Sequence, residues 1–136
     1  MDITVSRAQG RVPVMVLQPH GDLDASNFRD LIAKAKEVYE SGTRDILVDL
    51  SDTSYMSSSG LVALQSIAAL TRGDPTPNLE EGWGAIRAID RDRDSGLQPH
   101  FTLLSPQPRI DRVLEMTGFS RFLEVHTDLE TAVASF

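Results

Sequence analysis

Cysteine is absent from the 136-residue chain. That excludes a disulfide scaffold, thiolate metal sites and thiol catalysis, and it fits a reducing compartment. Basic residues are also short: 13 Lys and Arg face 20 Asp and Glu, for a net charge of −7. Nucleic acid and anionic membrane surfaces both select a basic face, so neither is expected as a partner. No apolar run approaches the ~18–20 residues of a membrane span. Met1-Asp2-Ile3-Thr4 has neither the cationic start nor the apolar core of a signal peptide. Internal repeats and low-complexity runs are missing as well. What remains is a soluble, cytoplasmic, single acidic domain over 1–136, long enough to bury about two-thirds of its unfolded surface.

The opening reads as two strands, with Ile3 and Val5 alternating and Val12, Val14, Met15, Val16 and Leu17 forming a second run. Pro13 suits an edge strand or a strand start, because proline cannot donate to a ladder. After the break at Pro19-His20-Gly21-Asp22, Phe28, Leu31, Ile32, Ala35, Val38 and Tyr39 recur at helical spacing. Asp24 or Ser26 is a candidate N-cap, and Ser41-Gly42 ends the helix. Asp45 to Leu50 reads as a strand covered on both faces. Ser57-Ser58-Ser59-Gly60 opens a second helix, with Leu61, Val62, Leu64, Ile67, Ala68 and Leu70 as its apolar stripe.

Thr71 to Pro99 is rich in Gly and Pro and far longer than an ordinary connection of ~4–6 residues. It reads as an insertion between a helix and a strand, with a short ordered piece around Trp83 to Ile89. A strand follows at His100 to Leu104, then a helix marked by Ile110, Val113 and Leu114 that stops at Gly118. Another strand spans Phe122 to Val125, and Thr127-Asp128-Leu129-Glu130 matches a capping box for a last helix lined by Leu129, Ala132, Val133 and Phe136. Alternating strands and helices predict an α/β fold with a mixed, mostly parallel sheet of four to five strands and about four helices. Function is then expected in the loops at the C-terminal strand ends.

Enzyme signatures are mostly missing. No glycine loop ends in Gly-Lys-Ser/Thr, and Gly82-x-Gly84 lacks the third glycine of a dinucleotide turn. Ser58 and Ser59 do not sit in a Gly-x-Ser-x-Gly elbow. His20, His100 and His126 lack metal-ligand spacing and read as surface or edge histidines. No metal and no cofactor is expected. Asp22 and Asp24 flank Leu23 and fit either an acidic partner patch or a cap complementing the helix dipole. The triple serine is the most informative segment. Capping accounts for one serine; a second reading is a phosphorylated hydroxyl facing free N–H groups at a helix N-terminus, altering what docks there.

Three segments in order carry a family likeness: Gly21-Asp22-Leu23-Asp24 before an amphipathic helix, Ile46-Leu47-Val48-Asp49-Leu50, and Tyr55-Met56-Ser57-Ser58-Ser59-Gly60-Leu61. Together they resemble the STAS domain family, whose best-known members are bacterial anti-anti-sigma factors (anti-sigma-factor antagonists). Phe101 to Leu104, Arg109 to Phe119 and Phe122 to Val125 continue the match, so the likeness covers about four-fifths of the chain.

The resemblance implies a substrate and switch, not an enzyme. An anti-sigma factor that is itself a serine kinase, with ATP bound by that partner, phosphorylates the serine two positions before the glycine. That position is Ser58. The unphosphorylated protein binds the anti-sigma factor and frees the sigma factor; phosphorylation releases it. Asp22, Asp24, Ser57, Ser59 and Gly60 form the implied partner-binding surround. Ser57 stands where many members carry aspartate, and the Thr71 to Pro99 segment is much longer than the family's tight link. Trp83 in it reads either as an exposed anchor for a partner or as cover for the core edge. A non-phosphorylated binding module in a larger signalling or lipid-transport assembly is the first rival reading, and a small nucleotide binder the second. The sequence does not specify an oligomeric state.

Overall fold

Two strands joined by a short turn open the fold: β1 (Asp2–Gln9) pairs antiparallel with β2 (Pro13–His20), from Asp2↔His20 to Gln9↔Pro13. The computed structural model describes residues 1–73 and 98–136. Pro13 is the first residue of β2, and β2 lies between β1 and β3. Of the two placements that proline allowed, the strand start is therefore the one realised.

Helix α1 (Phe28–Glu40) buries Leu31, Ile32, Ala35 and Val38, the three- and four-residue spacing that made it legible. Its C-cap is Ser41, and Gly42 follows at φ +111°, a conformation that costs any other residue. Strand β3 (Ile46–Asp49) runs parallel to β2, with Ile46, Leu47 and Val48 fully buried. Helix α2 (Ser58–Thr71) follows, then β4 (Phe101–Leu104), parallel to β3. Helix α3 (Pro108–Thr117) carries proline in its first turn, where a missing N–H is harmless, and ends at Gly118, φ +84°. A 3-10 turn at Phe119–Arg121 leads to β5 (Glu124–His126), parallel to β4, and α4 (Leu129–Ala134) closes the described chain.

The sheet order among the described residues is β1-β2-β3-β4-β5, with only β1 antiparallel. Alternation along the strands splits the core in two. Leu17, Ile46, Val48, Phe101 and Leu103 pack with residues of α1, α2 and α3 such as Leu31, Leu64, Ile67 and Leu114. On the other face Val14, Val16, Leu47 and Leu104 meet Ala132 and Val133 of α4. Each fully buried side chain of this size contributes roughly 1.5–3 kcal/mol. Four parallel strands end at one edge, so the loops at 21–27, 50–57 and 105–107 share that edge.

Three local expectations shift. The last strand is Glu124–His126 rather than Phe122 to Val125, because Phe119, Phe122 and Leu123 are fully buried and a 3-10 turn aims them at the core. Helix α4 is capped by Asp128, which accepts from the Thr131 N–H at 2.9 Å, not by Thr127, and Leu129 is exposed. Helix α2 reaches Thr71, and from Ala63 to Thr71 every residue is buried, so the expected stripe is a helix buried on all sides. At its end Arg72 donates to the Gln98 side chain at 3.3 Å, so the two described flanks of the expected insertion meet. The ordered piece expected at Trp83 to Ile89 and Gly82-x-Gly84 lie outside the described residues.

Candidate functional site

The site is the N-terminus of α2 and the two loops that hold it. Gly21, at φ +98°, turns the chain out of β2, and its N–H donates to the Asp52 carbonyl at 3.0 Å. The loops leaving β2 and β3 then run side by side. Leu23 N–H donates to Tyr55 O at 3.0 Å, and Ser57 N–H donates to Leu23 O at 2.9 Å, forming a parallel bridge between Leu23 and Met56. Both side chains are buried, which anchors the bridge in the core. The pairing of β2 with β3 is thus extended beyond their ends, up to the first residue of the serine block.

Each serine in that block has a different role. Ser57 is the N-cap of α2, its extended backbone letting Oγ accept from the Ser59 N–H at 3.2 Å. Ser59 is half-buried in the first turn. Ser58 is exposed at the first helical position, and its hydroxyl makes no hydrogen bond with the described residues. The expectation of several free N–H groups narrows here: the Ser59 N–H is taken by the cap, and the Gly60 N–H donates to Ser57 O at 3.0 Å. The helix dipole remains.

Gly60 lies beneath the surface rather than on it. A β-carbon there would sit 2.4 Å from Met56 Cγ and 3.1 Å from the Leu23 carbonyl oxygen. Glycine is what lets α2 start this close to the neighbouring loop.

Asp22 is exposed and its Oδ1 accepts from Ser54 Oγ at 2.9 Å, joining the two loops. Asp24 does not cap α1. The helix begins at Phe28 with Asn27 at the N-cap position, and Asp24 Oδ1 instead accepts from the Ser26 N–H at 2.9 Å and Ser26 Oγ at 2.5 Å. These two bonds hold its carboxyl below the ordinary aspartate range. Ser26 is a donor to that carboxylate, not a cap.

Several residues outside the expected set also frame the site. Asn27 brackets the loop, donating to Asp22 O at 2.7 Å and accepting from the Asp24 N–H at 3.0 Å. Its spacing from Asp24, typical of turn-forming Asx residues, was the available signal. His20 bridges Asp52 and Thr4, and Gln107 donates to Ser51 O at 3.1 Å. Those pairs span 16 to 56 residues of sequence, so no local pattern announces them. His100 and His126 stand apart from this edge's serine block, beside Asp45 and Glu124 respectively. Among the described residues no group of three or more His, Asp or Glu is placed to hold a metal ion, and no helix is long and apolar enough to cross a membrane.

A mixed five-stranded sheet, helices on both faces and a serine-headed helix at the strand ends define a small α/β domain with its candidate site at the C-terminal strand ends. The sequence profile of the STAS domain matches residues 6–73, half of the chain, and the protein belongs to that family. Solved structures share the fold. A Thermotoga maritima protein assigned as an anti-sigma factor antagonist is 19% identical over 96% of this chain and 90% of its own, with a TM-score of 0.66. An anti-sigma factor antagonist from Mycobacterium paratuberculosis is 19% identical over 98% and 93%, with a TM-score of 0.64. The Bacillus cell fate determinant SpoIIAA in its phosphorylated form is 18% identical over 96% of each chain, with a TM-score of 0.52. No curated protein sequence matches the chain.

Proposed function

We propose that this STAS protein is an anti-sigma-factor antagonist whose switch is phosphorylation of Ser58. The observation that carries the reading is the division of labour in the serine block. Ser57 Oγ is committed to capping and Ser59 is half-buried, which leaves Ser58 as the exposed hydroxyl with no competing bond. A phosphate at the first helical position meets the positive end of the α2 dipole, so the helix persists while the surface gains ~1.5 to 2 negative charges. Asp22 and Asp52 already expose carboxylates on the adjoining loops, and no Lys or Arg occurs between Asp45 and Thr71. No basic residue of the β3–α2 segment offsets the added charge, and it disrupts a partner surface fitted to the neutral serine.

On this reading the partner is an anti-sigma factor serine kinase that brings its own ATP, and the protein is a cytoplasmic single domain over 1–136 that catalyses nothing itself. Asp22, Asp24, Ser57 and Ser59 shape the docking surface, and Gly60 acts from below by setting the height of α2.

The test is affinity capture from source-cell lysate with wild type, Ser58→Ala and Ser58→Asp, with mass spectrometry of the retained proteins and of Ser58. The reading expects an ATP-binding serine kinase held by wild type and Ser58→Ala and lost with Ser58→Asp, and phosphate on Ser58 of the wild type. Equal retention of one partner by all three variants would overturn the switch and leave a constitutive binding module.

A further inference from the structure

At the opposite end of the sheet from Ser58, a groove of about 430 Å³ lies between the start of β2 and the α1–β3 connection, lined by Arg7, Val12, Pro13, Ser41, Gly42, Thr43, Arg44 and Asp45. That volume falls in the range of small-ligand sites. Arg7 reaches it from β1 and Arg44 from the loop before β3. In register Arg7 lies opposite Met15, and Met15 opposite Ile46, which puts Arg7 on the sheet face that α1 covers.

Neither guanidinium has a hydrogen-bond or ion-pair partner among the described residues. The nearby acceptors already carry bonds of their own. Carbonyls at the C-terminal end of α1 are taken by its own turn: the Ser41 N–H donates to Glu37 O and Val38 O, Ser41 Oγ donates to Val38 O, and the Gly42 N–H donates to Tyr39 O. The Asp45 carboxylate pairs with His100 Nδ1 at 2.8 Å. Two arginines therefore line the groove with no bonded partner, beside an Asp45 carboxylate that His100 engages, in a protein whose net charge is −7. Guanidinium forks bind phosphate oxygens bidentately, as they do carboxylates.

We infer that this groove binds a small phosphate-bearing molecule, held by Arg7 from β1 and Arg44 from the α1–β3 connection with the Thr43 hydroxyl as a further donor. The inference is independent of Ser58 and its partner, because the groove and the serine block lie at opposite ends of parallel strands.

The experiment is an amide NMR titration of the full chain with inorganic pyrophosphate at low ionic strength, repeated with orthophosphate. Wild type should saturate with pyrophosphate, with shifts centred on Arg7 and Ser41 to Asp45 and little change at Ser57 to Gly60. Arg7→Ala with Arg44→Ala should weaken binding at least about tenfold, the scale of losing charge-assisted hydrogen bonds. Arg11→Ala, an exposed arginine outside the groove, should bind as wild type. The single Arg44→Gln, in a loop, should weaken binding without touching β1, which guards against a strand defect in the double variant. Shifts spread over all basic residues, equal weakening by Arg11→Ala, or undiminished binding by the double variant would each mean an adventitious ion only and overturn the site.

Discussion

The N–H of Ser57 donates to the carbonyl of Leu23 at 2.9 Å, fastening the cap of α2 to the loop that leaves β2. That bond fixes where the serine block stands, and Gly60 makes it possible. A side chain at position 60 would collide with Met56 Cγ and press on the same Leu23 carbonyl. Gly60→Ala is therefore expected to destabilise the protein by about 1–3 kcal/mol, the usual cost of overpacking. Denaturant unfolding checks it. Adding Met56→Ala removes one of the clashing atoms, so the double variant should cost less than the two single losses combined. Strict additivity would show that α2 does not press on this loop.

Ser57 and Ser58 are neighbours with opposite expectations. Ser57→Ala deletes the only side-chain cap of α2 and should cost about 1 kcal/mol, whereas Ser57→Asp retains an acceptor and should cost little. Ser58→Ala removes an exposed hydroxyl with no bond and should stay within roughly 0.5 kcal/mol of wild type. Ser58→Asp should also fold normally, since a carboxylate suits a helix N-terminus. Thermal unfolding of the four variants separates the structural serine from the switch serine.

Asp24 introduces a pH dependence whose sign follows from its bonds. Ser26 donates to the carboxylate twice, which favours the ionised form and lowers its folded pKa below the unfolded value. Its stabilising contribution is complete above the ordinary aspartate pKa of about 3.9 and is lost as pH falls through the lower folded value. Asp24→Asn should thus lower the melting temperature at neutral pH, and the difference from wild type should shrink as the medium becomes strongly acidic. A difference that does not change with pH would assign the effect to loop geometry instead.

Elements with a strong period were legible in the sequence, and so was the order that identified the family. Helix α1 declared itself through Leu31, Ile32, Ala35 and Val38, and β3 through an unbroken apolar run between polar ends. Termini were harder, because a cap is chosen by backbone geometry among several competent residues. Asp128 stands where Thr127 also fits the pattern, and Asp24 turned inward to Ser26 while Asn27 took the position before α1. Helix α2 looked like a stripe because Gln65 and Ser66 are polar, yet both are buried. The serine block was visible as a motif, but its internal assignment was not. Which serine caps depends on the Leu23–Met56 bridge, a contact 33 residues apart whose register no local pattern encodes.

Asn27 offers the sharpest test of how the loop is held. Its amide nitrogen donates to Asp22 O at 2.7 Å while its oxygen accepts from the Asp24 N–H at 3.0 Å, closing a bracket around Leu23. Asn27→Ala leaves two backbone groups to find other partners and should cost about 1–2 kcal/mol. Asn27→Asp retains the acceptor, loses the donor and adds a charge beside Asp22 and Asp24, so it should cost at least as much. The effect should also travel. Leu23 carries both bonds of the bridge to Tyr55 and Ser57, so loosening its loop should speed hydrogen exchange at the Leu23 and Ser57 amides relative to those of β3. Faster exchange at Leu23 alone, with Ser57 still protected, would show that the β3–α2 loop holds the serine block without help from the β2 side.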